Sequence, residues 1–160
     1  MNKILLVLTL TLGTLVSNGQ SIGTFAGLTT KSNNQLNGSW GGWISTQKFG
    51  IEYSYSSSVN TDIVVRKDDY LSRTSKSYGV TYIIKTDIPH LNCIPSVGIQ
   101  SNYSTFDKQI HNKTWTKDVY PYASISGEYD LNSALNIRIR MQIGKVSTIG
   151  AGIGIRLGKY

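Results

Sequence analysis

Residues 133–143 contain the pattern that most limits how this chain can fold. Leu135, Ile137, Ile139, Met141 and Ile143 alternate with Asn136, Arg138, Arg140, Gln142 and Gly144. A period of two gives two different faces only in a β-strand. One face here is unbroken aliphatic, and the other carries two arginines in mid-strand. The same alternation recurs at 49–56, where Phe49, Ile51, Tyr53 and Tyr55 oppose Gly50, Glu52, Ser54 and Ser56. It recurs at 78–85, with Tyr78, Val80, Tyr82 and Ile84 opposing Gly79, Thr81, Ile83 and Lys85. At 150–158, Ala151, Ile153, Ile155 and Leu157 oppose Gly150, Gly152, Gly154, Arg156 and Gly158.

Extended along the chain, the pattern predicts eight strands, at 21–31, 39–47, 49–58, 76–86, 91–103, 117–128, 133–143 and 148–158, separated by Asn, Asp, Gly, Ser and Pro clusters. Phe25, Trp43, Ile94 and Tyr122 fit either face of their strands. No segment of helical length competes, and only 16% of the residues are charged, so polar-faced helices and a disordered chain are both disfavoured. At 160 residues there is room for one domain.

The first twenty residues read as an export signal. Lys3 opens an n-region, 4–16 is mostly apolar, and Ser17, Asn18 and Gly19 bring small residues to the cleavage site. The run is too short and too rich in Thr and Gly for a spanning helix. The expected domains are therefore a cleaved signal peptide at 1–19 and a barrel at 20–160. Loss of Lys3 lowers the net charge from +7 to +6. The basic residues are scattered, with no block of the kind that tracks nucleic acid. Cys93, the only cysteine, is far from the cleavage site and makes no internal disulfide, so it reads as a small apolar filler.

Connections alternate in length. Those near Gln47-Lys48, 87–90 and 129–132 are tight, whereas 32–38, 59–75 and 104–116 are long and polar, with 59–75 suited to a protruding β-ribbon. If consecutive strands pair, the tight turns gather at one end and most long loops at the other.

A period of two suits a soluble barrel with an apolar interior as well as a membrane barrel with an apolar exterior. Four features favour the membrane: strand charges opposite the aliphatics, an uninterrupted aliphatic face in the last two strands, aromatics such as Trp40, Tyr55, Tyr78, Tyr103, Trp115 and Tyr129, and the turn-loop asymmetry. The reading is an all-β fold: a single closed eight-stranded antiparallel up-and-down transmembrane β-barrel, preceded by a cleaved signal peptide. Closure is obligatory, because an unpaired backbone N–H or C=O in hydrocarbon costs several kcal/mol. Eight strands leave an interior filled by side chains. Glu52, Lys85, Glu128, Arg138, Arg140 and Arg156 are expected to meet there as a charged network near the turn end. Gly150, Gly152 and Gly154 would give the arginines room, and Tyr122 and Ser124 would be neighbours. The alternative is a secreted or periplasmic soluble barrel that binds a small apolar ligand inside.

At this level of layout the chain resembles the small eight-stranded outer-membrane β-barrel proteins, in particular the short porin-like barrels of Bacteroidota. The resemblance spans the whole of 20–160. Its most local element is the last strand, where Gly152, Ile155, Leu157 and the terminal aromatic Tyr160 look like the signal read by the outer-membrane barrel assembly machinery. It implies an outer-membrane location in a Gram-negative bacterium and a structural or surface-interaction role. The expected partners are outer-membrane lipid and lipopolysaccharide, whose phosphates suit the loop cations Arg66, Lys67, Arg73, Lys76, Lys113 and Lys117.

No catalytic constellation or cofactor is expected. The His-x-Ser pair that marks barrel lipid A deacylases has no counterpart at His90-Leu91-Asn92 or His111-Asn112-Lys113, and the amphipathic helix of barrel palmitoyltransferases is replaced by strand at 21–31. A Ser/His/Asp triad needs spatial convergence, for which Ser57, His111 and Asp107 on the loop side are an example. A lipid-modifying enzyme is thus the third reading. The glycines at 150–154 lie within an alternating strand and do not make a phosphate loop. Asp68, Asp69 and Asp130 read as turn residues.

Overall fold

The computed structural model describes residues 20–30, 36–59, 72–105 and 115–157. The signal-peptide expectation at 1–19, most of the ribbon expected at 59–75, parts of the long connections expected at 32–38 and 104–116, and Tyr160 lie outside them.

The described chain forms strands β1 (Gln20–Thr30), β2 (Leu36–Ser45), β3 (Phe49–Val59), β4 (Ser72–Tyr82), β5 (Ile84–Lys85), β6 (Leu91–Thr105), β7 (Trp115–Asp130), β8 (Leu135–Ile143) and β9 (Thr148–Leu157). Each pairs antiparallel with its neighbours, and the β1–β9 and β4–β6 pairings close the sheet. β4 and β5 are two parts of one barrel strand, because Thr81 opposite Ser96 and Ile84 opposite Cys93 keep the same register. The break lies opposite Ile94 and Pro95. Proline has no N–H to give the ladder, and the Ile83 N–H donates instead to the Lys48 carbonyl at 2.8 Å. The barrel therefore has eight strands, as the pattern predicts.

A perpendicular row can be followed right round the wall. It runs from Gln100 through Ser77, Ser54, Gly41, Phe25, Gly152, Arg138 and Glu128, and it meets β6 again at Asn92, eight residues from its start. For eight strands this stagger corresponds to a strand tilt of about 36°.

The tight turns collect at one end. Asn132 Oδ1 caps the β7–β8 turn by accepting from the N–H groups of Ala134 and Leu135, each at 2.8 Å. At the β5–β6 turn, His90 takes a φ of 66°. At the loop end, the short β8–β9 turn folds inward. Val146 is buried, and its N–H and C=O bond the Gln100 amide at 2.9 Å each.

Polarity is inverted relative to a soluble protein. The largest fully buried side chains include Arg138, Arg140, Gln100 and Gln142, whereas Ile51, Ile139 and Ile143 are 60%, 62% and 68% exposed. Among the described residues, twenty-six large apolar or aromatic side chains are exposed. Burial of each would contribute roughly 1.5–3 kcal/mol, so in water the chain would forgo tens of kcal/mol, against a usual net stability of about 5–15 kcal/mol. The wall is built to face hydrocarbon. The alternative of an apolar ligand chamber is overturned, because charged and amide side chains fill the interior.

Phe25, Trp43, Ile94 and Tyr122 all point inward. Trp43 lies over Gly23 and Gly154, Phe25 over Gly41 and Gly152, and Tyr122 over Gly79 and Gly98. A Cβ added to these glycines would meet the ring or the adjoining backbone. Of the aromatics expected near strand ends, Tyr103, Trp115 and Tyr129 are there. Trp40, Tyr55 and Tyr78 sit in mid-strand and form an outward cluster with Tyr53, with ring centroids 5.2–5.9 Å apart.

Candidate functional site

The inward faces of β3, β7, β8 and β9 bring together most of the charges expected to meet. Glu52 on β3 is the centre of the upper group. Its Oε1 accepts from Ser96 Oγ and Ser124 Oγ at 2.8 Å, from the Tyr122 hydroxyl at 3.1 Å and from Arg140 Nη2 at 2.8 Å, while Oε2 accepts from Arg140 Nε at 3.1 Å. Arg140 also donates to Gln142 Oε1 at 2.6 Å and to Thr148 Oγ1 at 3.1 Å. Gln142 continues the chain of bonds to Ser77 at 3.1 Å.

Closer to the turn end, Arg138 donates through Nε and Nη2 to Glu128 Oε2 at 3.0 and 2.6 Å, and its guanidinium lies 4.1 Å from the centroid of the Trp43 ring. Arg156 reaches Glu128 at 3.8 Å and pairs closely with Asp130. Three carboxylates thus face three guanidiniums, and the group is neutral. A buried charge is tolerated only when paired and hydrogen-bonded, which is the condition Glu52 and Arg140 meet. Space for the arginines comes from β9, where Gly150, Gly152 and Gly154 lie opposite Arg140, Arg138 and Asn136.

Lys85 has the inward parity of its strand and lines the turn-end mouth together with Glu128, Asp130 and Arg156. It is exposed there, beside Asn92. Asp130, read from sequence as turn chemistry, is instead the partner of Arg156. Its place on the Glu128 face, two residues along β7, was the available signal. Asn136 and Gln142, which the alternation places on the face of Arg138 and Arg140, are buried inside as that reading requires, and Gln100 is an interior member that the sequence reading did not name.

Of the loop cations, Arg66, Lys67 and Lys113 lie outside the described residues. Arg73 turns to the inner face at the loop-end mouth and donates to Ser104 Oγ at 3.2 Å. Lys76 and Lys117 stand on the outer face, on either side of Tyr103. In the last strand Gly152 points inward, while Ile155 and Leu157 are exposed on the outer wall. His90 is exposed in its turn, and His111 and Asp107 lie outside the described residues. Among the described residues no group of three or more His, Cys, Asp or Glu side chains is arranged to hold a metal. What the interior can do is tie opposite walls together, β3 to β6, β7 and β8, and occupy the lumen.

No protein-family model matches the chain, and no curated protein matches it. Solved structures do. The chain is similar to Ail, the attachment invasion locus protein of Yersinia pestis, with a TM-score of 0.62, 11% identity, and coverage of 88% of this chain and 99% of that one. It is similar to the N-terminal β-barrel domain of Pseudomonas aeruginosa OprF, with a TM-score of 0.55, 16% identity and coverage of 88% and 98%. Neisserial surface protein A gives a TM-score of 0.54, 11% identity and coverage of 87% and 97%. At these identities the likeness concerns the fold, and the fold is that of the small outer-membrane eight-stranded β-barrels.

Proposed function

We propose that this chain is an integral outer-membrane barrel of a Gram-negative bacterium with a structural or surface-interaction role and no catalytic activity. One observation carries the reading: the closed wall is apolar outside and ionic inside, as lipid requires and water forbids. The neutral Glu52–Arg140 and Glu128–Arg138–Arg156–Asp130 groups fill the lumen, so the barrel acts as a non-conducting scaffold for its loops. The loop end faces outward, where Arg66, Lys67, Lys76, Lys113 and Lys117 suit lipopolysaccharide phosphates, whereas Arg73 is engaged on the inner face. The barrel assembly machinery reads the last strand during insertion. That Ail has been crystallised with the heparin analogue sucrose octasulfate supports polyanion binding as a use open to this fold.

The test is gel mobility in SDS of membrane-fraction protein, unboiled against boiled, with planar-bilayer recording of the purified protein. A heat-dependent shift and no large, stable conductance are expected. Protein confined to the soluble fraction with a single mobility would overturn the membrane reading, and a large, stable conductance would overturn the scaffold reading.

A further inference from the structure

The outer wall is not apolar throughout. Near the loop end, Lys76 of β4 lies opposite Tyr55 and Ser101, and Lys117 of β7 lies opposite Tyr103, which is itself opposite Thr74 of β4. These residues share one outward patch across β3, β4, β6 and β7. The Lys117 ammonium is 5.4 Å from the centroid of the Tyr103 ring.

No carboxylate balances them on that surface among the described residues. Glu52, Glu128 and Asp130 have the inward parity of their strands, Asp87 lies at the turn end, and Asp118, exposed beside Lys117 in sequence, has the inward parity of Tyr120 and Tyr122 on β7 and so stands on the other side of the wall from the lysines. Toward the turn end the wall continues with exposed Val97, Ile99 and Val119, and Trp115 stands at the start of β7. Two ammoniums on an apolar wall, with a phenol between them, repel each other unless an anion joins them. A lysine stem can lie along hydrocarbon while its head remains at the polar boundary. The complementary molecule carries a phosphate at the height of the lysines and acyl chains against the valines and isoleucine.

We propose that Lys76, Tyr103 and Lys117 form a clamp for a phosphate of an outer-leaflet glycolipid, whose acyl chains lie along Val97, Ile99 and Val119. This rests on the reading above, in which the loop end faces outward in an outer membrane. It narrows that reading from a basic rim to a site on the flank of the barrel, distinct from the long loops.

The experiment reconstitutes the barrel in phosphatidylcholine nanodiscs containing bis-phosphorylated or dephosphorylated lipid A, and reads lipid retained on the protein by native mass spectrometry. Preferential retention of the phosphorylated form is expected. Lys76→Gln and Lys117→Gln should each weaken it roughly fivefold, and together about twenty-five-fold, if each lysine near a membrane surface contributes as usual. Lys48→Gln, in the exposed β2–β3 turn at the opposite end, should change nothing. Heat-shifted gel mobility confirms that each variant is folded. Equal retention of the two lipids, or equal loss in Lys48→Gln, overturns the clamp. Competition by inorganic phosphate at lipid-equivalent concentration reduces it to a simple anion site and overturns the glycolipid assignment. Orientation is measured apart, by labelling Ser72→Cys in a Cys93→Ser background on whole cells with an impermeant maleimide. Retention without labelling overturns the orientation, and with it the outer-leaflet assignment, while the phosphate contact stands; labelling without retention overturns the clamp and spares the orientation.

Discussion

Replacement of Glu52 by alanine gives the most direct test of the interior. Arg140 is 2% exposed, and among the described residues Glu52 supplies its only carboxylate partner, through two hydrogen bonds of 2.8 and 3.1 Å. Truncation leaves a guanidinium buried without a counter-charge, and it removes the acceptor of Ser96, Ser124 and Tyr122. Breaking a buried pair in this way costs about 3–5 kcal/mol, a loss of roughly 150- to 5,000-fold in the folded-to-unfolded ratio. Removal of both charges, as in Glu52→Leu with Arg140→Met, should cost less than Glu52→Ala alone, because no lone ion remains and the replacements fill similar volumes. The assay is equilibrium urea unfolding in phospholipid vesicles, with the folded fraction read as the fast-migrating band of unboiled samples. A coupling of about 2 kcal/mol or more is expected from the double-mutant cycle. A Glu52→Ala cost below about 1 kcal/mol, or strict additivity, would refute the claim that this pair holds the walls together.

Other substitutions probe the wall. Ile139→Arg, at the middle of β8 and 62% exposed, should cost about 2–4 kcal/mol in lipid vesicles. A negligible cost would mean that this face meets water. Gly152→Ala should destabilise by about 1–3 kcal/mol, since its Cβ would come within 2.7 Å of Phe25 Cβ and 2.9 Å of Phe25 Cα. Gly127→Ala, which meets nothing within 4 Å, should be neutral or mildly stabilising, so urea midpoints for the two should separate. Trp43→Leu removes the ring under Arg138 and the Nε1 bond to Ser21. It should lower the unfolding midpoint more than Trp40→Leu on the lipid side, and equal shifts would count against the stacked pair as a stabilising contact.

The two faces of β8 and of the 49–56 segment were readable from sequence because lipid outside and ions inside impose opposite chemistries on successive residues. That sharp contrast is lost where an inward side chain is aromatic. Phe25 and Trp43 look as suited to hydrocarbon as Leu28 does, and only the register shows the glycines of neighbouring strands lying beneath them. Parity located Lys85 on the correct side of its strand but could not show that the strand ends too low to bury it. The Glu52–Arg140 pair joins residues eighty-eight positions apart. Alternation supplies both members, and closure through the β1–β9 seam selects the match. The flanking lysines were recognised as basic, while their separation from Arg73 onto the opposite face depended on knowing where β4 starts.

The stagger of eight residues over eight strands has a further meaning for the interior. A shift of one residue per strand places side chains from alternate strands at a common height, four to a level. Ser96, Glu52, Phe25 and Arg140 form such a level. The contacts agree, with Glu52 bonded to both Ser96 and Arg140 and the Arg140 guanidinium 5.1 Å from the Phe25 ring centroid. The lumen is thus layered in four-membered discs, which side chains such as Tyr122, Ser124, Gln142 and Thr148 bond to the levels beside them, so compensating substitutions in divergent barrels of this stagger should fall within a disc or between adjoining discs.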